Sequence, residues 1–159
     1  MTIKLFVSDL DGVMTDGGMY YTESGEEFKR FHVADGVGFL RLKEAGIKTA
    51  ICTNGKSAIS KHRSQKIKAD FLLDDCKNKL ESVSKLCAEI GVLLSETAFI
   101  GDDVWDIELL KAVGFAACPA DAQNCVKELP NIRVLTKNGG NGCVREFAEL
   151  ALQTNDNIV

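Results

Sequence analysis

Asp9 and Asp11 stand on either side of Leu10 and lead into Gly12. Like charges at such short range raise each other's pKa, so a carboxylate pair held in one loop is costly unless a cation relieves it. Magnesium prefers carboxylate, carbonyl and water oxygens, and Asp9, the backbone carbonyl of Asp11 and a third acid, Asp102, offer such positions. A metal there screens an anionic carboxylate from an anionic phosphate, which lets Asp9 attack phosphorus and form an acyl phosphate. Asp11 is the candidate general acid and base, protonating the leaving oxygen and then taking a proton from the water that hydrolyses the intermediate. Thr53, with the backbone amides of Asn54 and Gly55, is the candidate cradle for phosphoryl oxygens, and Lys79 brings a compact positive charge to the start of a helix.

The elements around these residues follow from apolar periodicity. Lys4 to Ser8 is a short, mostly apolar run that opens into the Asp9 loop, as a buried strand does. After a helix closed by Gly46 the chain alternates. Strands are predicted at Ile47 to Cys52, Phe71 to Leu73, Ala98 to Gly101, Phe115 to Cys118 and Ile132 to Leu135. Helices are predicted at Ser57 to Ile67, Leu80 to Ile90, Trp105 to Val113 and Ala122 to Leu129, ahead of Pro130. In the second of these Leu80, Val83, Cys87 and Ile90 form one apolar stripe. Parallel neighbours need a crossover, so the alternation predicts an α/β fold, a Rossmann-like doubly wound parallel sheet. Ligands in such sheets sit at the carboxyl ends of strands, and three strands here end at Asp9, Thr53 and Asp102.

One segment breaks the alternation. Gly18 to Val33 holds two half-polar runs about Glu23-Ser24-Gly25-Glu26, which predicts a β-hairpin insertion after the first strand. Between Asp11 and Thr53 there is room only for that hairpin and one helix, and between Thr53 and Lys79 only for a helix and a strand, so there is no separate cap domain. Residues 1–153 read as a single domain and 154–159 as a loose C-terminal tail, with the loosening starting at Gln153.

A chain of 159 residues is enough for one hydrophobic core. With 45% apolar and 26% charged residues and a net charge of −4, it has no basic surface to track a phosphate backbone, which argues against nucleic acid as a partner. No apolar run is long enough to span a bilayer, and Met1 is followed by Asp9 and Asp11 rather than by a secretion signal, which argues against membrane insertion and for a cytoplasmic protein. Cys52, Cys76, Cys87, Cys118, Cys125 and Cys143 have no CxxC spacing and read as reduced, mostly buried thiols rather than a zinc site.

The whole set then matches a family. Asp9-Leu10-Asp11-Gly12-Val13-Met14-Thr15-Asp16-Gly17, Thr53, Lys79 and Gly101-Asp102-Asp103 with Asp106 follow the order and spacing of the four motifs of the haloacid dehalogenase superfamily of phosphatases. The hairpin, His32-Val33-Ala34-Asp35-Gly36, Asn78-Lys79-Leu80 and Gly140-Asn141-Gly142-Cys143-Val144-Arg145-Glu146 resemble its capless 3-deoxy-D-manno-octulosonate 8-phosphate phosphatase branch, which includes nonulosonate (sialic-acid-type) 9-phosphate phosphatases. The resemblance implies a phosphorylated sugar acid as substrate and Mg2+ as cofactor. It implies Asp9 as nucleophile, Asp11 as acid and base, Asp102 as metal ligand, Thr53 and Lys79 as phosphate binders, and Asp103 and Asp106 as residues that orient the ligands from behind. It also implies a homotetramer in which hairpins pair and a neighbour closes each crevice, with Arg145, the Gly139 to Gly142 loop and the tail as candidates for the closure. At Asn54-Gly55 the chain departs from the Gly-Arg or Gly-Glu that follows the threonine in relatives, which removes a charged contact to the sugar acid. Lys56, Arg63 and Lys66 are the basic candidates left nearby, with Arg63 and Lys66 assigned to substrate.

Plainer readings stand beside these. An Asp-x-Asp pair is usually a solvated turn, and gains meaning here from its place after an apolar strand and from the company of Thr53, Lys79 and Asp102. Asp106 can be first-turn helix charge, and Arg63 and Lys66 a solvated helix face. His32 and His62 are not needed as bases, and Trp105 and the phenylalanines read as core. A receiver domain also gathers acids, Thr and Lys on a parallel sheet, but its phosphorylated Asp ends the third strand, where this chain has Leu73-Asp74 with the wrong partners. A non-catalytic, phosphatase-like oligomerisation module is the other rival, and the presence of every required group argues against it.

Overall fold

The computed structural model describes residues 2–156. Along the chain run β1 (Leu5–Ser8), a small hairpin of β2 (Tyr20–Tyr21) and β3 (Glu27–Phe28), α1 (Val33–Glu44), β4 (Lys48–Cys52), α2 (Ala58–Lys66), β5 (Phe71–Leu73) and α3 (Lys79–Ile90). There follow β6 (Thr97–Ile100), α4 (Ile107–Ala112), β7 (Phe115–Cys118), α5 (Asn124–Lys127), β8 (Arg133–Val134) and α6 (Cys143–Asp156). Six strands form one sheet in the order β5-β4-β1-β6-β7-β8, every neighbouring pair parallel, so the doubly wound α/β expectation holds. From β1 the chain winds outward through β4 and β5, then α3 carries it back to β6 on the other side of β1. The winding therefore reverses between β1 and β6, the place where open α/β sheets leave a crevice beyond their strand ends.

The strand alternation sorts the core into two layers. Leu5 and Val7 face a cluster with Val83, Leu86 and Cys87 of α3 and Leu109 of α4. Phe6 faces the opposite cluster, with Phe39 and Leu42 of α1 and Val144, Phe147 and Ala148 of α6. There the Phe6 ring lies 6.0 Å from that of Phe39 and 5.2 Å from that of Phe147, within the range where aromatic pairs add to simple burial. In the α3 stripe Val83 and Cys87 are buried as expected, and Leu86 joins them, while Leu80 and Ile90 pack at the edge of the cluster. Among the described residues no helix is long and apolar enough to cross a membrane.

Four local expectations need correction. The helix predicted from Trp105 starts instead as a 3-10 turn, Val104–Asp106, before α4, because the Asp106 carboxylate accepts from the backbone amides of Asp102 and Asp103 and tightens that turn. α5 is one turn long, since Ala122 closes a turn onto the carbonyl of Pro119. β8 keeps two residues of the predicted four. Residues 153–156 are not a loose tail: α6 runs through Asp156, and Asn155 exchanges two hydrogen bonds with the backbone of Ile3, at 2.7 and 2.9 Å. Residues 157–159 of the expected tail lie outside the described residues.

Candidate active site

Asp9 follows β1 directly, and its amide donates to the carbonyl of Ile100 at the end of β6. This bond joins the Asp9 loop to the Asp102 loop at the point where the winding reverses. The Asp9 loop then curls back, with the amides of Met14 and Thr15 both donating to the carbonyl of Leu10 and the Thr15 hydroxyl accepting from the amide of Gly12 at 3.1 Å. Gly12 has φ +83°, and a β-carbon there would collide with the Asp102 carboxylate, so only glycine lets the two acidic loops close on each other.

Lys79 occupies the first position of α3 and is 4% exposed. Its Nζ donates to Asp106 Oδ1 at 2.6 Å and lies 2.8 Å from Asp9 Oδ1. Asp106, 1% exposed, is saturated: the second oxygen accepts from the amides of Asp102 at 2.9 Å and Asp103 at 3.2 Å. Asp103 caps the turn, its carboxylate accepting from the amide of Val104. Oxygens of Asp9, Asp102 and Asp106 lie within 4.8 Å of one another. With Asp106 fully engaged, Asp9 and Asp102 are the carboxylates with capacity left for an ion.

The charge balance makes the same point. Burial, the largest influence, lifts the Asp9 carboxyl well above the ordinary carboxylate range; Lys79 opposes this, and Asp106 and Asp102 add to it. Asp102 is pushed up to about 7, first by burial and then by Asp106 and Asp103. Burial alone would lower the Lys79 ammonium, but Asp9 and Asp106 outweigh it and hold it above its usual value. One buried ammonium thus faces three close carboxylates, an excess of negative charge on oxygen donors that fits a hard divalent cation.

Thr53, 2% exposed, follows β4 directly. Its amide donates to the carbonyl of Leu73 and its hydroxyl accepts from the amide of Gly55 at 3.3 Å. The Asn54 side chain is turned away, donating to the carbonyl of Cys76 at 2.8 Å; what this residue can offer a phosphate is its backbone. Asp9, Thr53, Lys79, Asp102, Asp106 and Trp105 are among the residues that border one crevice of about 210 Å³.

Some expected residues sit elsewhere. Asp11 borders the crevice, but its side chain is half exposed and accepts from Lys29 Nζ at 2.6 Å. Lys29 is the residue that sequence reasoning passed over. It follows β3, and nothing in its neighbourhood in the chain signals that the hairpin folds back over the Asp9 loop. Arg63 and Lys66 do not border this crevice; they line a different hollow with Phe31 and Val33. Arg63 is nearly buried because its Nη2 donates to the carbonyl of His32 at 3.0 Å and its guanidinium lies 4.8 Å over the Phe31 ring. His32 caps α1, accepting from the amide of Ala34, and His62 borders the Arg63 hollow. The Gly139 to Gly142 loop packs against its own Asp9 loop, where β-carbons at Gly139 and Gly140 would meet the backbone of Gly12 and Asp16. Arg145 pairs with Glu149 at 2.7 Å. Both are thus engaged within their own protomer. Trp105, read as core, is 69% exposed at the mouth of the crevice.

A family model described as haloacid dehalogenase-like hydrolase matches residues 38–114. The chain is 35% identical to the 3-deoxy-D-manno-octulosonate 8-phosphate phosphatase of Haemophilus influenzae over 151 residues, which span 95% of this chain and 83% of that protein. The chain belongs to the haloacid dehalogenase-like hydrolases. As a member of this family it is a phosphoric monoester hydrolase. The structure of the Moraxella catarrhalis 3-deoxy-D-manno-octulosonate 8-phosphate phosphatase, in complex with magnesium ion, phosphate ion and a KDO molecule, is similar with a TM-score of 0.92 at 35% identity, covering 98% of this chain and 88% of that one. The cobalt-bound form of the Haemophilus influenzae enzyme gives 0.91 at 34% identity, covering 98% and 90%.

Proposed function

We propose that the protein hydrolyses 3-deoxy-D-manno-octulosonate 8-phosphate to the free sugar acid and phosphate, with Mg2+ as cofactor and Asp9 as a transiently phosphorylated nucleophile. The observation that carries this reading is the meeting of Asp9, Thr53, Lys79 and Asp102 in one crevice at the reversal of the sheet. The likeness to enzymes named for that substrate supports it. Magnesium, when bound by Asp9, the carbonyl of Asp11 and Asp102, screens the negative charge of the phosphoryl group from Asp9.

Lys79 fixes Asp9 Oδ1 and holds the carboxylate at the floor of the crevice. Asp9 forms a bond to phosphorus while the bond to the sugar oxygen breaks, and Asp11 gives that oxygen its proton. Asp11 then takes a proton from water as the water attacks phosphorus, and the carboxylate of Asp9 is released with phosphate. For this, Asp11 turns from Lys29 towards the leaving oxygen. Thr53, the amides of Asn54 and Gly55, and Lys79 receive the phosphoryl oxygens, and Asp103 and Asp106 keep the Asp102 loop and Lys79 in place.

The active form is a homotetramer. Met19, Tyr21 and Phe28 are 65%, 57% and 54% exposed on the hairpin, apolar surface that a neighbouring copy covers. In such an assembly Arg63 and Lys66 serve the sugar acid of a neighbour, since they do not border their own crevice. The cysteines are all free and, apart from Cys125, buried, in keeping with a cytoplasmic protein.

A kinetic panel tests the reading. Magnesium-dependent phosphate release is expected with the highest kcat/KM for octulosonate 8-phosphate. A higher value for a nonulosonate 9-phosphate would move the substrate to that class, which Gly55 leaves open because it carries neither of the charged side chains that relatives have there. No turnover of any phosphate monoester would leave the oligomerisation module as the reading.

A further inference from the structure

A crevice of about 210 Å³ falls below the roughly 300–1,000 Å³ that small-molecule sites usually enclose. It has room for the phosphoryl group and its surroundings but not for a whole sugar acid, so the rest of the substrate lies on the rim. Two hollows lie alongside, of about 390 and 290 Å³, and both are bordered by Trp105 and Lys77. Trp105 also borders the crevice itself. An indole normally finds burial with its N–H paired, yet this one, the only tryptophan in the chain, is left 69% exposed at a polar opening.

Charge chooses between the hollows. The smaller one is bordered by Glu108 and by Lys79, whose ammonium is already engaged by Asp9 and Asp106, so Glu108, which repels a carboxylate, offsets Lys77 there. The larger one is bordered by Asn54, Cys76, Lys77 and Trp105, with Lys77 its only charged residue. The loop that carries Lys77 is tied to the phosphate cradle: the amide of Cys76 donates to the carbonyl of Thr53 at 3.1 Å, Asp75 to that of Gly55 at 3.3 Å, and the Asn54 side chain to that of Cys76. The backbone that carries Lys77 is therefore held close to the phosphate cradle, as a recognition group needs. Gly55 leaves the way between them open, since a β-carbon there would meet only the Thr53 hydroxyl, at 3.9 Å.

We propose that Trp105 and Lys77 form the subsite for the acid end of the leaving group, the indole packing on a C–H face of the sugar acid and the ammonium pairing with its carboxylate. This assignment rests on the phosphatase reading above.

The test uses the full enzyme with magnesium and reads two things. Emission from the single tryptophan is followed while the free sugar acid is added, and a saturable change is expected. The ratio of kcat/KM for the sugar-acid phosphate over acetyl phosphate is expected to fall about three- to tenfold in Trp105→Ala. In Lys77→Gln the preference for the sugar-acid phosphate over a neutral sugar phosphate of similar size is expected to fall likewise. Emission that ignores the sugar acid, or that is already blue-shifted because a neighbouring copy covers the indole, overturns the subsite, as do unchanged ratios in both variants. The unmutated enzyme separates the two failures: if it hydrolyses neither the sugar-acid phosphate nor acetyl phosphate, the phosphatase reading falls, whereas turnover with indifferent ratios removes only the subsite.

Discussion

At the floor of the crevice Lys79 and Asp106 are 4% and 1% exposed and bonded to each other and to Asp9 or the Asp102 loop, whereas on the hairpin Met19 and Phe28 are 65% and 54% exposed on strands of two residues each. The acids of the first region share one buried ammonium, so the removal of Lys79 leaves Asp9 and Asp106 stranded in a poorly solvated place. The second region is held mainly by Tyr20, stacked on Phe28 and bonded to Asp16, and leaves Met19 and Tyr21 to solvent. Its side chains decide what the surface meets, and their loss costs the fold little. Chemistry and recognition are thus carried by parts of the molecule with different tolerance to change.

The difference can be broken or sharpened by substitution. Asp9→Asn is expected to lower phosphate release on the order of 10⁴-fold or more while leaving the fold intact, since Lys79 keeps its bond to Asp106. Lys79→Met strikes at the same point with a mixed effect: activity falls by about 10²–10³-fold, and about 3–5 kcal/mol of stability is lost in chemical denaturation, because Asp9 and Asp106 are then buried without a counter-charge.

A smaller effect is set by pH. Asp102 stands at about 7 against an ordinary 3.8, so the ion-free fold holds a proton there that the unfolded chain has already lost. Its contribution to stability is therefore present below about pH 4 and lost as pH rises through about 7. Magnesium competes with that proton, so calorimetry is expected to show affinity that climbs with pH up to about 7 and levels off above it. Affinity that falls as the solution becomes more alkaline would contradict the assignment of Asp102. On the hairpin, Tyr21→Ser is expected to change folding stability by no more than about 0.5 kcal/mol, yet to reduce the mass seen by light scattering. An unchanged mass would remove the hairpin from the assembly.

The centre was largely legible in the chain itself. Asp9, Thr53 and Asp102 each follow a buried strand, and the alternation of strands and helices puts such positions on one edge of a parallel sheet. The rim was not. Whether Lys29 meets Asp11 depends on how a hairpin with strands of only two residues folds back, which no apolar pattern records. That Arg63 lies away from its own crevice was not legible either, because a basic residue on a helix says nothing of direction: its guanidinium donates to the His32 carbonyl and lies over the Phe31 ring. A tryptophan is most simply a core residue, but the turn held by Asp106 points Trp105 outward. Residues 153–156 lacked a strong apolar stripe, and their order comes from Asn155 and its long-range pairing with Ile3.

The claim that Asp9 carries the phosphoryl group is met most directly by an acid quench during the first turnover, followed by mass spectrometry of the peptide that contains residue 9. A phosphoryl group on Asp9, formed before free phosphate is released and missing in Asp9→Asn, is the expected result. Free phosphate released with no labelled protein at any time, or a label on another residue, would contradict it.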